Sequence, residues 1–347
     1  MARGLIFLVL LGTLQPGCRK TPAASEDDNH QLAAVQSVAA PKPTERRAPA
    51  ELPVAETNTS RAPAAPRVVA IGDLHGDLKA ARRAFVLAGA TNDKDQWIGG
   101  QLVVVQTGDV LDRGDDDREL LSFLDQQESA AKLAGGHVYR LNGNHEVMNV
   151  QGDFRYVSER GFKAFANEPS TGRPDAAERP AEQRGRAEAF LAGGRMARKL
   201  SAYPIVWIVG DSVFAHGGVL PKHVRYGLDQ MNSELGAWMR GEGPLPKKLQ
   251  GDNTPFWIRD YGEQVGEEVC AKLDIVLKVL KATRLVVGHT PQKAGISFGC
   301  NEHLARIDVG LSAYYGHNPT EVLEIADGKM RVLKEETQNA AAAGGMR

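Results

Sequence analysis

Cysteine is scarce in this chain, with three among 347 residues, at Cys18, Cys270 and Cys300. None lies near the histidine- and aspartate-bearing motifs described below, which excludes a thiolate site and the softer metals that such a site selects. An excess of charge of one sign is also missing. Lysine and arginine number 42 against 43 aspartates and glutamates, a net of −1, and no basic domain is visible. Nothing in the chain as a whole therefore draws it to nucleic acid or to an anionic membrane. The N-terminal hydrophobic run, Leu5 to Leu11, is too short to span a bilayer stably. There are no internal repeats. What is present, a hydrophobic content of 42 %, suffices for one large folded domain behind an N-terminal extension.

Residues 1–18 read as an export signal, because Arg3 precedes the apolar run and the small residue Gly17 stands directly before Cys18. Cleavage before a lipid-modified Cys18 is the sharper expectation. Leu14 stands one place early for the usual lipoprotein box, so plain secretion is the alternative. Arg19 offers no aspartate signal for inner-membrane retention, and the expected address is the outer membrane, facing the periplasm. A membrane partner is expected only through that lipid anchor. Residues 19–66, dominated by Ala, Pro, Glu, Thr and Ser, cannot bury enough surface to offset ordering entropy and read as a flexible tether. The catalytic domain is expected over 67–335, and residues 336–347, ending in an Ala/Gly-rich stretch, as a disordered tail. An oxidising compartment makes a Cys270–Cys300 disulfide plausible, with two buried free thiols as the alternative.

Three short segments carry the chemistry: Gly72-Asp73-Leu74-His75-Gly76, Gly108-Asp109-Val110-Leu111-Asp112-Arg113-Gly114 and Gly143-Asn144-His145-Glu146. Each follows a short apolar, largely β-branched run, at Val68 to Ile71, Leu102 to Val105 and Val138 to Leu141, so each sits where a buried strand ends in a loop. That is where α/β sheets place their ligands. Oxygen and imidazole donors in this mixture suit two divalent cations of the Mn, Fe or Zn kind. Two dications about 3.5 to 4 Å apart repel by roughly 19 kcal/mol even at an effective dielectric near 20, so a shared carboxylate must offset them, and Asp109 is the candidate bridge. Val213-Phe214-Ala215-His216-Gly217-Gly218 and Leu285-Val286-Val287-Gly288-His289-Thr290 repeat the pattern of a strand delivering a histidine beside glycine. His216 and His289 supply two more nitrogens.

Any one of these fragments alone would be a turn or a surface histidine, but together and in this order they resemble the phosphoprotein phosphatase branch of the calcineurin-like metallophosphoesterases. Within that branch the chain is most similar to the bacterial-type Shewanella-like protein phosphatases. The resemblance covers roughly residues 67 to 328 and is narrowed by Pro255-Phe256-Trp257-Ile258-Arg259, Val287-Gly288-His289-Thr290-Pro291-Gln292 and Ile307-Asp308-Val309-Gly310-Leu311-Ser312. It implies a first metal held by Asp73, His75 and Asp109, and a second held by Asp109, Asn144, His216 and His289. It further implies His145 as the general acid that protonates the leaving oxygen, Asp112 as the carboxylate that orients it, and Arg113 and Arg259 as phosphate clamps. The fold implied is α/β, a central β-sandwich flanked by helices. The implied activity is phosphomonoester hydrolysis by metal-activated hydroxide on a phosphoprotein or phosphopeptide. Manganese is the expected metal, with iron or zinc as alternatives. A dinucleoside polyphosphate hydrolase shares nearly all the metal motifs and is the first rival, and a non-catalytic binding lipoprotein is the second.

Other features have plainer readings. The Arg-, Glu-, Ala- and Pro-containing stretch 153–200 reads either as shaping substrate access or as a solvated helical insertion. Trp257 could line the pocket or belong to the core. Asp308 could support the site or start a turn. Asp77 reads as a helix N-cap with the site within reach. His30, His137, His223, His303 and His317 have no motif around them. Leu78, Ala81, Phe85 and Ala88 predict one helix, Leu120, Leu121 and Leu124 open a second, and strands are expected at 204–209, 212–215, 284–287, 304–307 and 320–325, the first two joined as a hairpin at Gly210-Asp211.

Overall fold

A computed structural model describes residues 60–316 and 318–335. Two sheets form the framework. One runs, in spatial order, β11 (Lys329–Lys334), β10 (Glu321–Ala326), β2 (Arg67–Ile71), β3 (Val103–Gln106) and β4 (His137–Arg140). The other runs β1 (Arg61–Ala62), β5 (Val206–Val209), β6 (Ser212–Ala215), β7 (Arg284–Val287), β9 (Leu304–Arg306) and β8 (Ser297–Gly299).

Side-chain alternation explains the layering. Val68 and Ala70 of β2 join Val103 and Val105 of β3 in one buried cluster with Phe214, Val286 and Ala305 of the second sheet. Their neighbours Val69, Ile71 and Val104 face the opposite way, onto a cluster containing Ala81, Phe85, Leu120 and Leu124. A β-sandwich flanked by helices results, as expected. Each fully buried aliphatic side chain of that interior contributes about 1.5–3 kcal/mol.

Helix α1 (Leu78–Leu87) starts at the Asp77 cap, whose side chain accepts from the Ala80 amide at 2.8 Å. Helix α2 (Asp117–Leu133) buries Leu120, Leu121 and Leu124, and α3 (Asn144–Gln151) begins directly at the third motif. The hairpin at Gly210-Asp211 forms, with Val209 opposite Ser212 and Gly210 at φ 59° supplying the left-handed turn.

β2, β3 and β4 run parallel, and so do β6, β7 and β9, so their C-terminal ends line one edge of each sheet. The motif residues Asp73, Asp109 and Asn144 follow the first set, and His216, His289 and Asp308 follow the second.

The start of the domain differs from expectation. Residues 60–66 are not tether: β1 pairs in parallel with β5, and Ser60 is buried, its amide donating to Asp229 Oδ1 at 2.7 Å. A two-residue strand held by a neighbouring edge carries no periodicity for sequence reasoning to detect. The segment 153–200 folds into four short helices, Glu159–Lys163, Pro174–Ala177, Ala181–Phe190 and Arg195–Leu200. Cys270, in the helix Glu267–Leu280, and Cys300, in the turn between β8 and β9, are joined as a disulfide. The export signal, Cys18, the tether through 59, His30, His317 and the tail from 336 lie outside the described residues. Among the described residues no helix is long and apolar enough to cross a membrane.

Candidate metal and phosphate site

The loops leaving the parallel strands bend sharply. His75, Asp109, Asp112, Arg113 and His289 all have positive φ, between 43° and 71°. Left-handed backbone at non-glycine residues costs free energy and persists only where the surroundings over-determine it. Glu146 is one such determinant. Its buried carboxylate accepts from the amides of Asp109 (2.9 Å), Val110 (2.9 Å), Leu111 (3.2 Å) and Gly143 (2.7 Å). Burial and the nearby Asp109 push Glu146 up to about 7. Close approach matters at two glycines: a Cβ at Gly143 would collide with Asp109, and one at Gly288 with Asp73.

Four buried imidazoles surround this edge, and their outer partners sort them. His75 Nδ1 is 3.1 Å from the Leu111 carbonyl, His216 Nδ1 is 3.0 Å from the Thr107 carbonyl, and His289 Nε2 is 3.1 Å from the Trp257 carbonyl. A carbonyl only accepts, so each of these rings carries its proton on that outer nitrogen and keeps a lone pair on the other. His145 differs, its Nδ1 lying 2.7 Å from Asp112 Oδ2.

The lone pairs converge with carboxylates. His216 Nε2 is 3.2 Å from Asp109 Oδ2 and 3.0 Å from Asn144 Oδ1, and His75 Nε2 is 3.7 Å from Asp109 Oδ2 and 3.9 Å from Asp73 Oδ2. Acceptors facing acceptors in a buried space is unfavourable unless cations lie among them. The donor set of Asp, Asn and His, with Asp109 reaching both histidine groups, fits two divalent ions.

Electrostatics agree with this reading. Burial, Asp308 and Asp109 hold the Asp73 carboxyl well above the usual range. Burial lowers His75 to about 3 and His289 to about 2, so both rings are neutral and able to ligate.

Buried triads that could hold a cation include Asp109, His216 and His289, and also His75, Asp109 and His145. His145 fits ligation less well than its neighbours. Asp109 and Asp112, the latter 2.7 Å from its Nδ1, raise its pKa against the effect of burial, favouring imidazolium, whereas burial depresses His75 and His289. Asp112 is held low because the His145 hydrogen bond and Arg186 outweigh its own burial.

At the rim, Arg113 lies among three tyrosine rings, 5.3 Å from Tyr156, 5.4 Å from Tyr314 and 5.1 Å from Tyr315. Its Nε is buried without a partner among the described residues. The Tyr315 hydroxyl is 3.3 Å from His75 Nε2. Arg259 is exposed and donates from Nη1 to the His289 carbonyl and the Thr290 hydroxyl, each at 3.1 Å.

The ambiguous residues resolve. Trp257 packs partly buried against the core and meets the site through its carbonyl and through its ring, which stands edge-on to that of His289 at 5.9 Å. Asp308 both starts a turn, accepting from Gly310 N at 2.9 Å, and acts electrostatically on Asp73, while burial raises it to about 6. Asp77 caps α1 and also accepts from Ala313 N at 2.8 Å, tying down the loop that carries Tyr314 and Tyr315. His223 is buried away from the cluster, and His137 and His303 are exposed. Sequence reasoning gave no role to Glu146, Asn149, Arg186 or the three tyrosines. Only Glu146 carried a signal, as an acid three places after Gly143 at the start of α3.

Comparison with known proteins gives the family. Residues 66–293 match the family model for calcineurin-like phosphoesterases. The chain therefore belongs to the calcineurin-like phosphoesterase family and is a metal-dependent hydrolase. Within that class it is 38 % identical to Shewanella-like protein phosphatase 2 of Arabidopsis thaliana, over 77 % of this chain and 77 % of that one. It is 26 % identical to Shewanella-like protein phosphatase 1 of Plasmodium berghei, covering 77 % and 74 %. Among solved structures, the cold-active protein-tyrosine phosphatase of a psychrophilic Shewanella superposes with a TM-score of 0.65 at 25 % identity, covering 79 % of this chain and 82 % of that one.

Proposed function

We propose that this enzyme is a protein phosphatase, and that phosphotyrosine is its preferred side chain. The observation that carries the reading is the division among the imidazoles: three give their proton to a backbone carbonyl and present lone pairs, and the fourth gives its proton to a carboxylate. Asp73, His75 and Asp109 would hold one divalent ion, and Asp109, Asn144, His216 and His289 the other, with manganese the first choice. Ions held there would neutralise charge on a bound phosphoryl group and would lower the pKa of water toward 7.

The chain's own groups do the rest. Arg113, with a buried donor to spare, binds phosphate oxygens, and Arg259 assists from the rim. His145, kept protonated by Asp112, delivers a proton to the oxygen that leaves with the protein product. Tyr156 and Tyr314, 40 % and 61 % exposed, offer ring faces beside Arg113 on which an aryl ester can pack. The similar Shewanella protein of known structure is a protein-tyrosine phosphatase, which supports the same choice. Export through the N-terminal segment, with Cys18 as lipid anchor, belongs to the proposal and places the substrates outside the cytoplasm.

The test is turnover of phosphotyrosine peptide, phosphothreonine peptide and diadenosine tetraphosphate by the purified chain with Mn²⁺. Preference for phosphotyrosine is expected. Preference for phosphothreonine rejects the side-chain assignment, and preference for the dinucleotide rejects the protein phosphatase in favour of a nucleotide hydrolase. Silence on all three with metal bound indicates a binding module.

A further inference from the structure

The insertion at 153–200 sends one side chain into the machinery. Arg186, on the helix Ala181–Phe190, is 0 % exposed and reaches Asp112, the partner of His145. We propose that Arg186 is a positioning residue for proton delivery to the leaving group, aiming His145 by fixing the plane of the Asp112 carboxylate. This rests on the phosphatase reading above.

Asp112 meets His145 Nδ1 with one oxygen, Oδ2, at 2.7 Å. A carboxylate held at that point alone could rotate about its Cβ–Cγ bond and swing the imidazole with it. Oδ1 removes that freedom, because it accepts from Arg186 Nη2 and from Asn149 Nδ2, each at 2.9 Å. Arg186 and Asn149 also hold each other, Nε donating to Asn149 Oδ1 at 2.7 Å. Asn149 stands one helical turn after His145 on α3 and donates to its carbonyl at 2.9 Å. Three side chains thus close a ring around Asp112 Oδ1.

The guanidinium is itself immobilised. Nη1 lies 3.2 Å from the Gly161 carbonyl and 2.7 Å from Asp117 Oδ2, while Asp117 Oδ1 accepts from the Asp112 amide at 3.0 Å. The Phe165 and Phe190 rings flank its Cζ at 5.5 Å and 4.8 Å. A planar fork can serve two carboxylates and an amide oxygen in fixed directions at once, which a lysine ammonium cannot do. Proton transfer is sensitive to the direction of the acid, so errors of about 10–20° lower the rate.

The test uses the full chain loaded with Mn²⁺ and a series of phenyl phosphates from 4-nitrophenyl, a good leaving group, to 4-methylphenyl, a poor one. A residue that aims the general acid matters more as the leaving oxygen becomes more basic. Arg186→Met should lower kcat by no more than about 3-fold on the nitrophenyl ester and by about 10²-fold on the methylphenyl ester. KM and metal content should be unchanged, and Arg186→Lys should fall between. Adding Arg186→Met to His145→Asn should cost nothing further, because both act on one step. A uniform loss across the series, or an additive loss in the double variant, overturns the proposal. Where Arg186→Met does not fold, the slope of Arg186→Lys decides by the same criterion. A wild-type chain inactive on every ester removes the phosphatase reading and this proposal with it, whereas an active wild type with a uniform loss removes the proposal alone.

Discussion

His216 Nε2 faces Asp109 Oδ2 across 3.2 Å, while Nδ1 of the same ring lies 3.0 Å from the Thr107 carbonyl. An imidazole nitrogen and a carboxylate brought together in a buried space make a place for a cation, and among the described residues Asp109 is the one carboxylate that reaches both His75 and His216 through a single oxygen. Asp109→Asn keeps the shape and removes the shared charge, leaving roughly 19 kcal/mol of dication repulsion without its main offset. We expect the variant to fold and to retain fewer than two ions per chain after dialysis against Mn²⁺. Elemental analysis finding both ions would contradict the bridging role.

His145 should separate from the ligands by its phenotype. Asp109 and Asp112 raise its pKa against burial, whereas burial depresses His75 to about 3 and His289 to about 2. His145→Asn is expected to keep both metals and to lose about 10² to 10⁴ in turnover on a poor leaving group, the usual range for a lost general acid. Loss of a metal ion instead would make it a ligand.

Glu146 braces the strained turn through Asp109 from one carboxylate, with four amides as donors. Glu146→Gln replaces one acceptor oxygen with an NH₂ group facing two of those donors. At about 1–3 kcal/mol for each buried donor left unsatisfied, urea unfolding should register a loss of roughly 2–6 kcal/mol. A change under about 1 kcal/mol would mean that other contacts hold the turn.

Legibility in the sequence follows the range of the interactions. Asp73, Asp109, Asn144, His216 and His289 were readable because each follows a short apolar strand, and Asp109 and His289 also stand in left-handed turns, which favour Asp, Asn, His and Gly. The strand and the ligand it delivers are neighbours in the chain, so local pattern suffices. Arg186 was not readable: it is one of several arginines in a polar, Ala-rich stretch, and only packing of its helix against α3 and the turn at Asp112 makes it the buried one. The tyrosine collar draws Tyr156 from the insertion and Tyr314 and Tyr315 from beyond β9, and what gathers them is Arg113. β1 is the same case at the level of backbone, a two-residue strand that exists because β5 offers it an edge.

The Cys270–Cys300 bond closes a loop with a sequence separation of 30 and fastens the β8–β9 turn to the helix Glu267–Leu280. Its stabilisation comes mainly from restricting the unfolded chain, roughly 3–4 kcal/mol for a loop of that size. Neither cysteine belongs to the metal-ligand cluster, so chemistry and stability should respond separately. A Cys270→Ser/Cys300→Ser variant is expected to unfold at lower urea by that free energy while kcat with Mn²⁺ at room temperature changes by less than about 2-fold, since the native contacts at the site stay the same. Thiol labelling of the non-reduced wild-type chain should leave both cysteines unmodified after unfolding. Two reactive thiols at these positions would show that the bond does not form, and urea midpoints that coincide would show that it does not stabilise the fold.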